Sequence, residues 1–109
     1  MNQPVFTGVC TALVTPFIDN KINYPLAEQL LRRQVEAGVD AVVLSGPTGE
    51  SPTLSDKEKL ELFKRGKEYV GSSCCIIAGT GSNSTTHAIE LSQAAEEAGA
   101  DALLVVSPY

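Results

Sequence analysis

A seven-residue pattern occurs twice in this chain and predicts a repeated structural unit. Residues 36–42 read Glu-Ala-Gly-Val-Asp-Ala-Val and residues 97–103 read Glu-Ala-Gly-Ala-Asp-Ala-Leu, so the copies begin 61 residues apart. In each copy the glycine ends an amphipathic stretch and precedes an apolar run without alternation. Glycine suits the left-handed position after a helix, and an unbroken apolar run is typical of a strand covered on both faces. Each copy therefore predicts a helix followed by a buried parallel strand.

The segments around the two copies continue the same alternation of strands and helices. Four apolar runs are predicted as strands, at residues 9–14, 41–44, 74–78 and 102–106. Three helix starts are predicted from capping residues: Asn23 with Pro25, Ser55 with its capping-box sequence Ser-Asp-Lys-Glu, and Asn83 or Ser84. The predicted order is β-α-β-α-β-α-β, with about 30 residues in each unit.

Apolar residues at helical spacing predict which face of each helix is buried. The expected buried positions are Ala27, Leu30, Leu31 and Val35 in the first helix, Leu60, Phe63 and Val70 in the second, and Ala88, Leu91, Ala94, Ala95 and Ala98 in the third. The second helix also carries charged pairs four residues apart, which predict a solvated face. Its four lysines (Lys57, Lys59, Lys64 and Lys67) are expected on that helix outside any apolar pocket, and Lys21 is expected in a loop.

Strands that alternate with helices imply right-handed crossovers and a parallel sheet. Two architectures are compatible with that order: a small open doubly wound sheet, or part of a (β/α)8 barrel. The chain has 109 residues, whereas a full barrel takes about 250. In the second case the chain would hold less than half of a barrel.

Composition excludes several classes of function. Eight basic and thirteen acidic residues leave a net charge of −5, which argues against nucleic acid and anionic membranes as partners. Three cysteines without Cys-x-x-Cys spacing and a single histidine predict neither a disulfide framework nor a metal site; the thiols are expected to be small buried apolar groups. No membrane span or targeting segment is visible, so the expected compartment is the cytosol.

Glycine and hydroxyl residues follow every predicted strand, at residues 15–17, 45–51, 79–83 and 107–109. Ligands of parallel α/β proteins bind at the carboxyl ends of the strands, where glycines let backbone N–H groups approach an anion. A small carboxylate or phosphate is the expected ligand, although turns use the same residue types. Residues 46–49 lack the Lys-Ser/Thr of a Walker loop, and residues 79–81 lack the third glycine of a dinucleotide fingerprint.

Together these segments resemble the dihydrodipicolinate synthase/N-acetylneuraminate lyase family of pyruvate-dependent class I aldolases, most closely its synthase branch. The resemblance rests on residues 6–17, on residues 46–54, which look like the family's Gly-Thr-Thr-Gly-Glu-Ser signature, and on residues 77–83 and 102–109. It implies an N-terminal portion (strands 1 to 4) of a (β/α)8 barrel spanning residues 1–109, and a homotetramer built from dimers. It also implies condensation of pyruvate with aspartate-4-semialdehyde through a lysine Schiff base, with no further cofactor.

The resemblance assigns roles to a few positions. Thr48 matches the threonine that holds the pyruvate carboxylate, and Gly49 helps to shape that pocket. Pro47 stands where the family has a threonine of a hydroxyl proton relay, so the relay hydroxyl is lost here. The family's Schiff-base lysine ends the sixth strand, beyond residue 109, so the 109-residue chain alone is expected to be inactive.

The resemblance also points to a lysine effector site at the dimer interface. Ser51, Asn83 and Tyr109 match positions used there, whereas His87 replaces an acidic residue, which weakens the case for feedback by lysine. His87 is otherwise expected to be a surface helical residue. Two other functions are compatible with the sequence: a neuraminate or keto-sugar-acid lyase of the same family, and a non-catalytic α/β module that binds a small carboxylate or phosphate.

Overall fold

The structure, a computed structural model, describes residues 4–46 and 54–105. The strands are β1 (Cys10–Ala12), β2 (Phe17–Ile18), β3 (Lys21–Ile22), β4 (Ala41–Leu44), β5 (Cys75–Gly79) and β6 (Ala102–Leu104). The helices are α1 (Tyr24–Glu36), α2 (Asp56–Val70) and α3 (Thr85–Glu97). The predicted alternation is confirmed, and the first and last strands are shorter than their apolar runs.

Four of the strands form one parallel sheet whose spatial order is β1-β4-β5-β6. This order follows the chain without a reversal. A doubly wound sheet needs a reversal, because its helices cover both faces on either side of a switch point. The strand order therefore rules out the doubly wound alternative and matches the single winding of a (β/α)8 barrel.

The two faces of the sheet pack against different partners. Val42, Leu44 and Ile76 belong to the larger apolar cluster, which includes buried side chains from all three helices. Val43 and Ile77 belong to a smaller cluster with no helical residue among the described side chains. The helices therefore lie on one side of the sheet, and the opposite face corresponds to the interior of a barrel.

Helix starts follow the capping residues of the sequence. The Asn23 side chain accepts a hydrogen bond from the N–H of Leu26 at 3.2 Å, and Pro25 lies in the first turn of α1. Ser55 and Glu58 exchange the two hydrogen bonds of a capping box at 3.0 and 3.1 Å. Ser84 caps α3, which decides between the two candidate residues there.

The buried helix faces agree with the pattern except at one position. Ala27, Leu31, Phe63, Val70, Leu91 and Ala95 are buried, and Leu30, Val35, Leu60 and Ala98 pack against the core in part. Lys59 was expected outside any apolar pocket but is only 6% exposed, which corrects that expectation. It lies within a turn of the buried Leu62 and Phe63, so its aliphatic stem can cover apolar surface.

A short hairpin between β1 and α1 is absent from the predicted order. Phe17 pairs with Ile22 and Ile18 with Lys21 in antiparallel register. Asp19 and Asn20, the two connecting residues, have φ of 51° and 62°, as a tight type I′ turn requires. Lys21 is thus in a strand and not in the predicted loop. The sequence did not indicate this strand because two residues are too few to show periodicity.

The three cysteines are all free, and they occupy three environments. Cys74 is buried in the larger cluster, whereas the adjacent Cys75 packs against the smaller one. The pair thus faces opposite sides of the sheet, as strand geometry predicts. Cys10 is exposed, so the expectation of buried thiols is wrong at that position.

Candidate functional site

The carboxyl ends of the parallel strands form one edge of the sheet, and polar residues collect there. Thr15 after β1, Ser45 after β4 and Thr80 after β5 are all buried, with exposed fractions of 6%, 1% and 0%. They are three of the four buried polar or charged residues in the described part of the chain. The structure thus brings together the described members of the predicted set of strand-end residues.

Ser45 has the most unusual conformation at this edge. Its φ is +58°, which is uncommon for a residue with a side chain. Its hydroxyl is buried and finds no hydrogen-bond partner within residues 4–46 and 54–105. Sparsely populated backbone conformations cluster at ligand sites, where the surrounding structure enforces them.

Gly79 explains how that conformation is accommodated. A Cβ atom at this position would lie 2.6 Å from the carbonyl carbon of Ser45 and 2.8 Å from the nitrogen of Gly46, and it would overlap the Ser45 carbonyl oxygen. The end of β5 therefore presses directly on the peptide bond that leaves β4. Only a residue without a side chain permits this approach.

Thr80 is anchored to both of its neighbouring elements, α3 and β6. Its Oγ1 lies 2.7 Å from Oγ of Ser92 in α3, and the residue is fully buried. Its backbone N–H donates to the carbonyl of Leu104 at 3.1 Å. The Thr80 hydroxyl thus ties strand β5 to its following helix, so it contributes rigidity to the edge.

His87 links two segments at the same edge of the sheet. Its Nε2 lies 2.7 and 2.9 Å from the two carboxylate oxygens of Asp56, the first residue of α2. Its Nδ1 lies 2.9 Å from Oγ of Ser82, in the connection between β5 and α3. His87 is half-exposed but bonded at both ring nitrogens, so it is a bridging residue and not an unattached surface side chain.

The predicted site residues divide into two groups. Pro47, Thr48, Gly49, Ser51 and Tyr109 lie outside the described residues. Asn83 is exposed and precedes the cap of α3, in the segment that His87 bridges to α2. It therefore lies at the edge of the sheet where the sequence placed it.

The sequence assigned no individual role to three residues of this edge: Ser45 and Gly79, which lie in the predicted strand-end segments 45–51 and 79–83, and Asp56, which lies in the capping-box sequence. Gly79 lies in a glycine-rich run, but no sequence pattern shows that a neighbouring strand approaches it. Asp56 is visible only as an acidic residue in the first turn of α2. A serine directly after a buried strand could have pointed to Ser45, since a buried polar side chain there must either form a hydrogen bond within the protein or contact a ligand.

No cluster of three metal-binding side chains occurs among the described residues. Nor is any helix in that part of the chain long and apolar enough to cross a membrane. The chemistry of the described edge is therefore that of hydroxyls, backbone N–H groups and a histidine–carboxylate pair.

Comparison with known proteins gives one consistent result. Residues 5–109 match the family described as the dihydrodipicolinate synthetase family. The chain is 46% identical over 109 residues to the 4-hydroxy-tetrahydrodipicolinate synthase of Acetivibrio thermocellus, and this alignment covers 100% of the chain but 37% of that relative. The chain thus spans little more than a third of the relative's length.

Solved structures give the same match. The pyruvate complex of the dihydrodipicolinate synthase of Acinetobacter baumannii superimposes with a TM-score of 0.91 at 42% identity, over 94% of this chain and 35% of that one. The lysine-bound enzyme of Cyanidioschyzon merolae gives a TM-score of 0.92 at 44% identity, over 98% and 37%. These matches agree with the strand order: the fold is the N-terminal portion of a (β/α)8 barrel.

Proposed function

The chain belongs to the dihydrodipicolinate synthetase family, and on this basis we propose that it is the N-terminal portion of a pyruvate-dependent aldolase. The proposed reaction is the condensation of pyruvate with aspartate-4-semialdehyde. Its main support is 46% identity along the whole chain to a protein named 4-hydroxy-tetrahydrodipicolinate synthase. The similar structure from Acinetobacter baumannii holds pyruvate, which favours a 2-oxo acid as the ligand here.

In this proposal the chain supplies the carboxylate-binding part of the site. The Thr48 hydroxyl and backbone N–H hold the pyruvate carboxylate, and Gly49 leaves room for it. A lysine outside these 109 residues forms the imine with the pyruvate carbonyl. The imine withdraws electrons from the methyl carbon, which loses a proton and attacks the aldehyde.

Pro47 removes a hydroxyl that the family resemblance places in the proton relay. Proline has neither a side-chain hydroxyl nor an N–H, so it cannot take the place of a relay threonine. Proton transfer to and from the bound intermediates must then use water or another hydroxyl. General acid–base groups typically contribute about 10²–10⁴-fold to a rate, so slow turnover is expected.

A lysine effector site near Ser51, Asn83 and Tyr109 is the regulatory part of the proposal. The similar enzyme from Cyanidioschyzon merolae is described with lysine bound. In this chain the imidazole of His87 already contacts both oxygens of Asp56. An ammonium ligand would compete for that carboxylate, so binding of lysine is expected to be weak.

The proposal also covers the cellular compartment, the pathway and the oligomeric state of the enzyme. We place the protein in the cytoplasm, as part of lysine and diaminopimelate biosynthesis. We also propose a homo-oligomer, a dimer or tetramer. The proposed oligomer rests on the family resemblance alone, because the open edges of β1 and β6 would pair with further strands of the barrel.

The test is to trap pyruvate with borohydride and measure intact mass. The 109-residue chain is expected to give no adduct, and a chimera in which it replaces the matching third of the Acetivibrio thermocellus enzyme is expected to give one. Thr48→Val in the chimera is expected to raise the pyruvate concentration needed for half-maximal trapping.

Two results would contradict the proposal. A folded, assembled chimera without an adduct would remove the assignment as a pyruvate aldolase. Stabilisation of the 109-residue chain by pyruvate without an adduct in the chimera would favour a non-catalytic carboxylate-binding module. An adduct on the isolated chain would show that one of its own lysines reacts, and the buried Lys59 would be the first to map.

A further inference from the structure

Strands β4 and β5 approach each other closely at their carboxyl ends. The residue of β5 at this contact is Gly79, and the part of the β4 end that faces it is backbone. The missing side chain of Gly79 leaves room for the peptide bond between Ser45 and Gly46. That peptide bond is the point at which the chain leaves β4 for the segment that contains Thr48. The direction of this exit is therefore set by the neighbouring strand.

The backbone conformation of Ser45 shows that the path of the chain out of β4 is constrained. A residue with a side chain takes a φ of +58° only when its surroundings require it. Ser45 is 1% exposed and its hydroxyl has no partner in the described ranges, so no side-chain hydrogen bond there compensates the backbone conformation. The absent side chain of Gly79 leaves the space that the Ser45–Gly46 peptide bond occupies in this conformation.

The neighbouring contacts make both sides of this meeting point rigid. Thr80, next to Gly79, is held by its hydrogen bonds to Ser92 and Leu104. On the other side, a Cβ atom on Gly46 would lie 2.9 Å from a methyl carbon of Val43. Neither strand end can shift without disturbing buried neighbours.

We propose that Ser45 and Gly79 form a backbone joint that aims the segment after β4, which makes both of them positioning residues for the carboxylate site. The inference rests on the proposed function, because Thr48 and Gly49 follow the joint by a few residues. Neither residue needs to touch the ligand. A misplacement of about 1 Å at such a site can lower activity about 100-fold.

The test uses Gly79→Ala in the 109-residue chain, with Gly66→Ala as the matched control. Gly66 is also buried, and a Cβ atom there would meet a flexible methyl group of Leu44 at 2.7 Å, so this variant strains the packing of the side chain before the joint but leaves the contact between Gly79 and the Ser45–Gly46 backbone open. Gly79→Ala is expected to displace the NMR resonance of the Gly46 amide and, when placed in the chimera, to raise the pyruvate concentration needed for half-maximal trapping at least about tenfold. Gly66→Ala is expected to lower the melting temperature while leaving the Gly46 resonance in place.

Two substitutions of Ser45 test the same contact from the β4 side, and they remain informative even if Gly79→Ala fails to fold. Glycine accepts a positive φ freely, whereas a β-branched residue does not. Ser45→Gly is therefore expected to keep the Gly79 α-proton resonances and the pyruvate affinity of the wild type, and Ser45→Val to change both.

The outcomes separate the joint from the proposed function. A folded Gly79→Ala variant with an unmoved Gly46 amide, or equal behaviour of Ser45→Gly and Ser45→Val, would overturn the joint. If pyruvate is not trapped by the wild-type chimera, the proposed function fails, and the resonances of the ligand-free variants of the 109-residue chain still decide whether the joint exists.

Discussion

The carboxylate of Asp101 accepts a hydrogen bond from the backbone N–H of Ile76 at 2.8 Å. Asp40, at the matching position in the first copy of the repeat, accepts one from the N–H of Val9 at 2.8 Å. The aspartate N–H in turn donates to the carbonyl of the same partner in both copies. The repeated Asp thus joins the start of its own strand to the start of the preceding one.

Loss of the Asp101 carboxylate is expected to destabilise the fold. Asp101→Ala leaves the Ile76 N–H without its acceptor at a partly buried position, which costs about 1–3 kcal/mol. Asp101→Asn keeps an oxygen acceptor and is expected to cost less. Urea denaturation measures the free energy of unfolding for both variants.

Lys67 provides the control for this prediction. Its ammonium lies 2.8 Å from the same oxygen of Asp101, with both side chains about 30% exposed. Exposed ion pairs contribute about 0.2–1 kcal/mol, so Lys67→Met is expected to cost less than Asp101→Ala. Equal losses for the two variants would show that the ion pair, and not the backbone hydrogen bond, is the important contact.

At a pH at which the imidazole is protonated, the His87–Asp56 pair is expected to show a small, salt-dependent coupling. Its side chains are 39% and 50% exposed, so a double-mutant cycle with His87→Ala and Asp56→Ala should give about 0.2–1 kcal/mol. Asp56→Ala should cost more than His87→Ala, because the carboxylate also lies in the first turn of α2, where negative charge is favourable. Coupling that persists in 1 M salt, where the screening length is about 3 Å, would contradict this account.

The cysteines are expected to react with iodoacetamide at different rates. Burial raises the pKa of both Cys10 and Cys74 above the ordinary value, so the difference between them is exposure: Cys74 is only 4% exposed, whereas Cys10 lies at the surface. The exposed Cys10 should therefore be alkylated before Cys74, as peptide mass analysis of a time course would show. Faster modification of Cys74 would mean that β5 opens readily.

The raised pKa of Cys74 also predicts how stability changes with pH. Because the folded state favours the neutral thiol, its contribution is complete below the ordinary pKa of 9.0 and declines as pH rises beyond it. Cys74→Ala should flatten the fall in unfolding free energy at alkaline pH. An unchanged slope would exclude this thiol as the cause.

Restoring a hydroxyl at position 47 is expected to speed the proposed reaction. In the chimera, Pro47→Thr should raise kcat with little change in KM, because a relay group acts on proton transfer and not on substrate binding. Pro47→Ala is the control, since it frees the backbone without adding a hydroxyl. Equal gains in both variants would assign the effect to the backbone.

The arrangement of elements could be predicted from local chemistry. The helix N-caps, the glycines after α1 and α3 and the unbroken apolar runs each act within a few residues, so the strands and helices follow from them. The hairpin Phe17–Ile18 with Lys21–Ile22 was missed because its strands are two residues long. Lys59 was misjudged because a long side chain can be buried by neighbours that a helical pattern does not show.

The candidate site was predictable only as a location. Glycines and hydroxyls at the strand ends indicated the edge of the sheet at which Thr15, Ser45 and Thr80 are buried, and the family resemblance suggested the ligand. The contacts at that edge join residues far apart in the chain: Ser45 to Gly79, Asp56 to His87, and Thr80 to Ser92. No local pattern encodes such pairs.

The sequence by itself determined the three helices, the four strands of the parallel sheet and their order along the chain, since caps, apolar runs and turn residues act over short range. Only the tertiary structure decided that the strand order has no reversal, that Ser45 takes a left-handed conformation against Gly79, and that His87 bridges to Asp56. These depend on the distance between backbones brought together by packing, and packing is a property of the whole sheet and its helices.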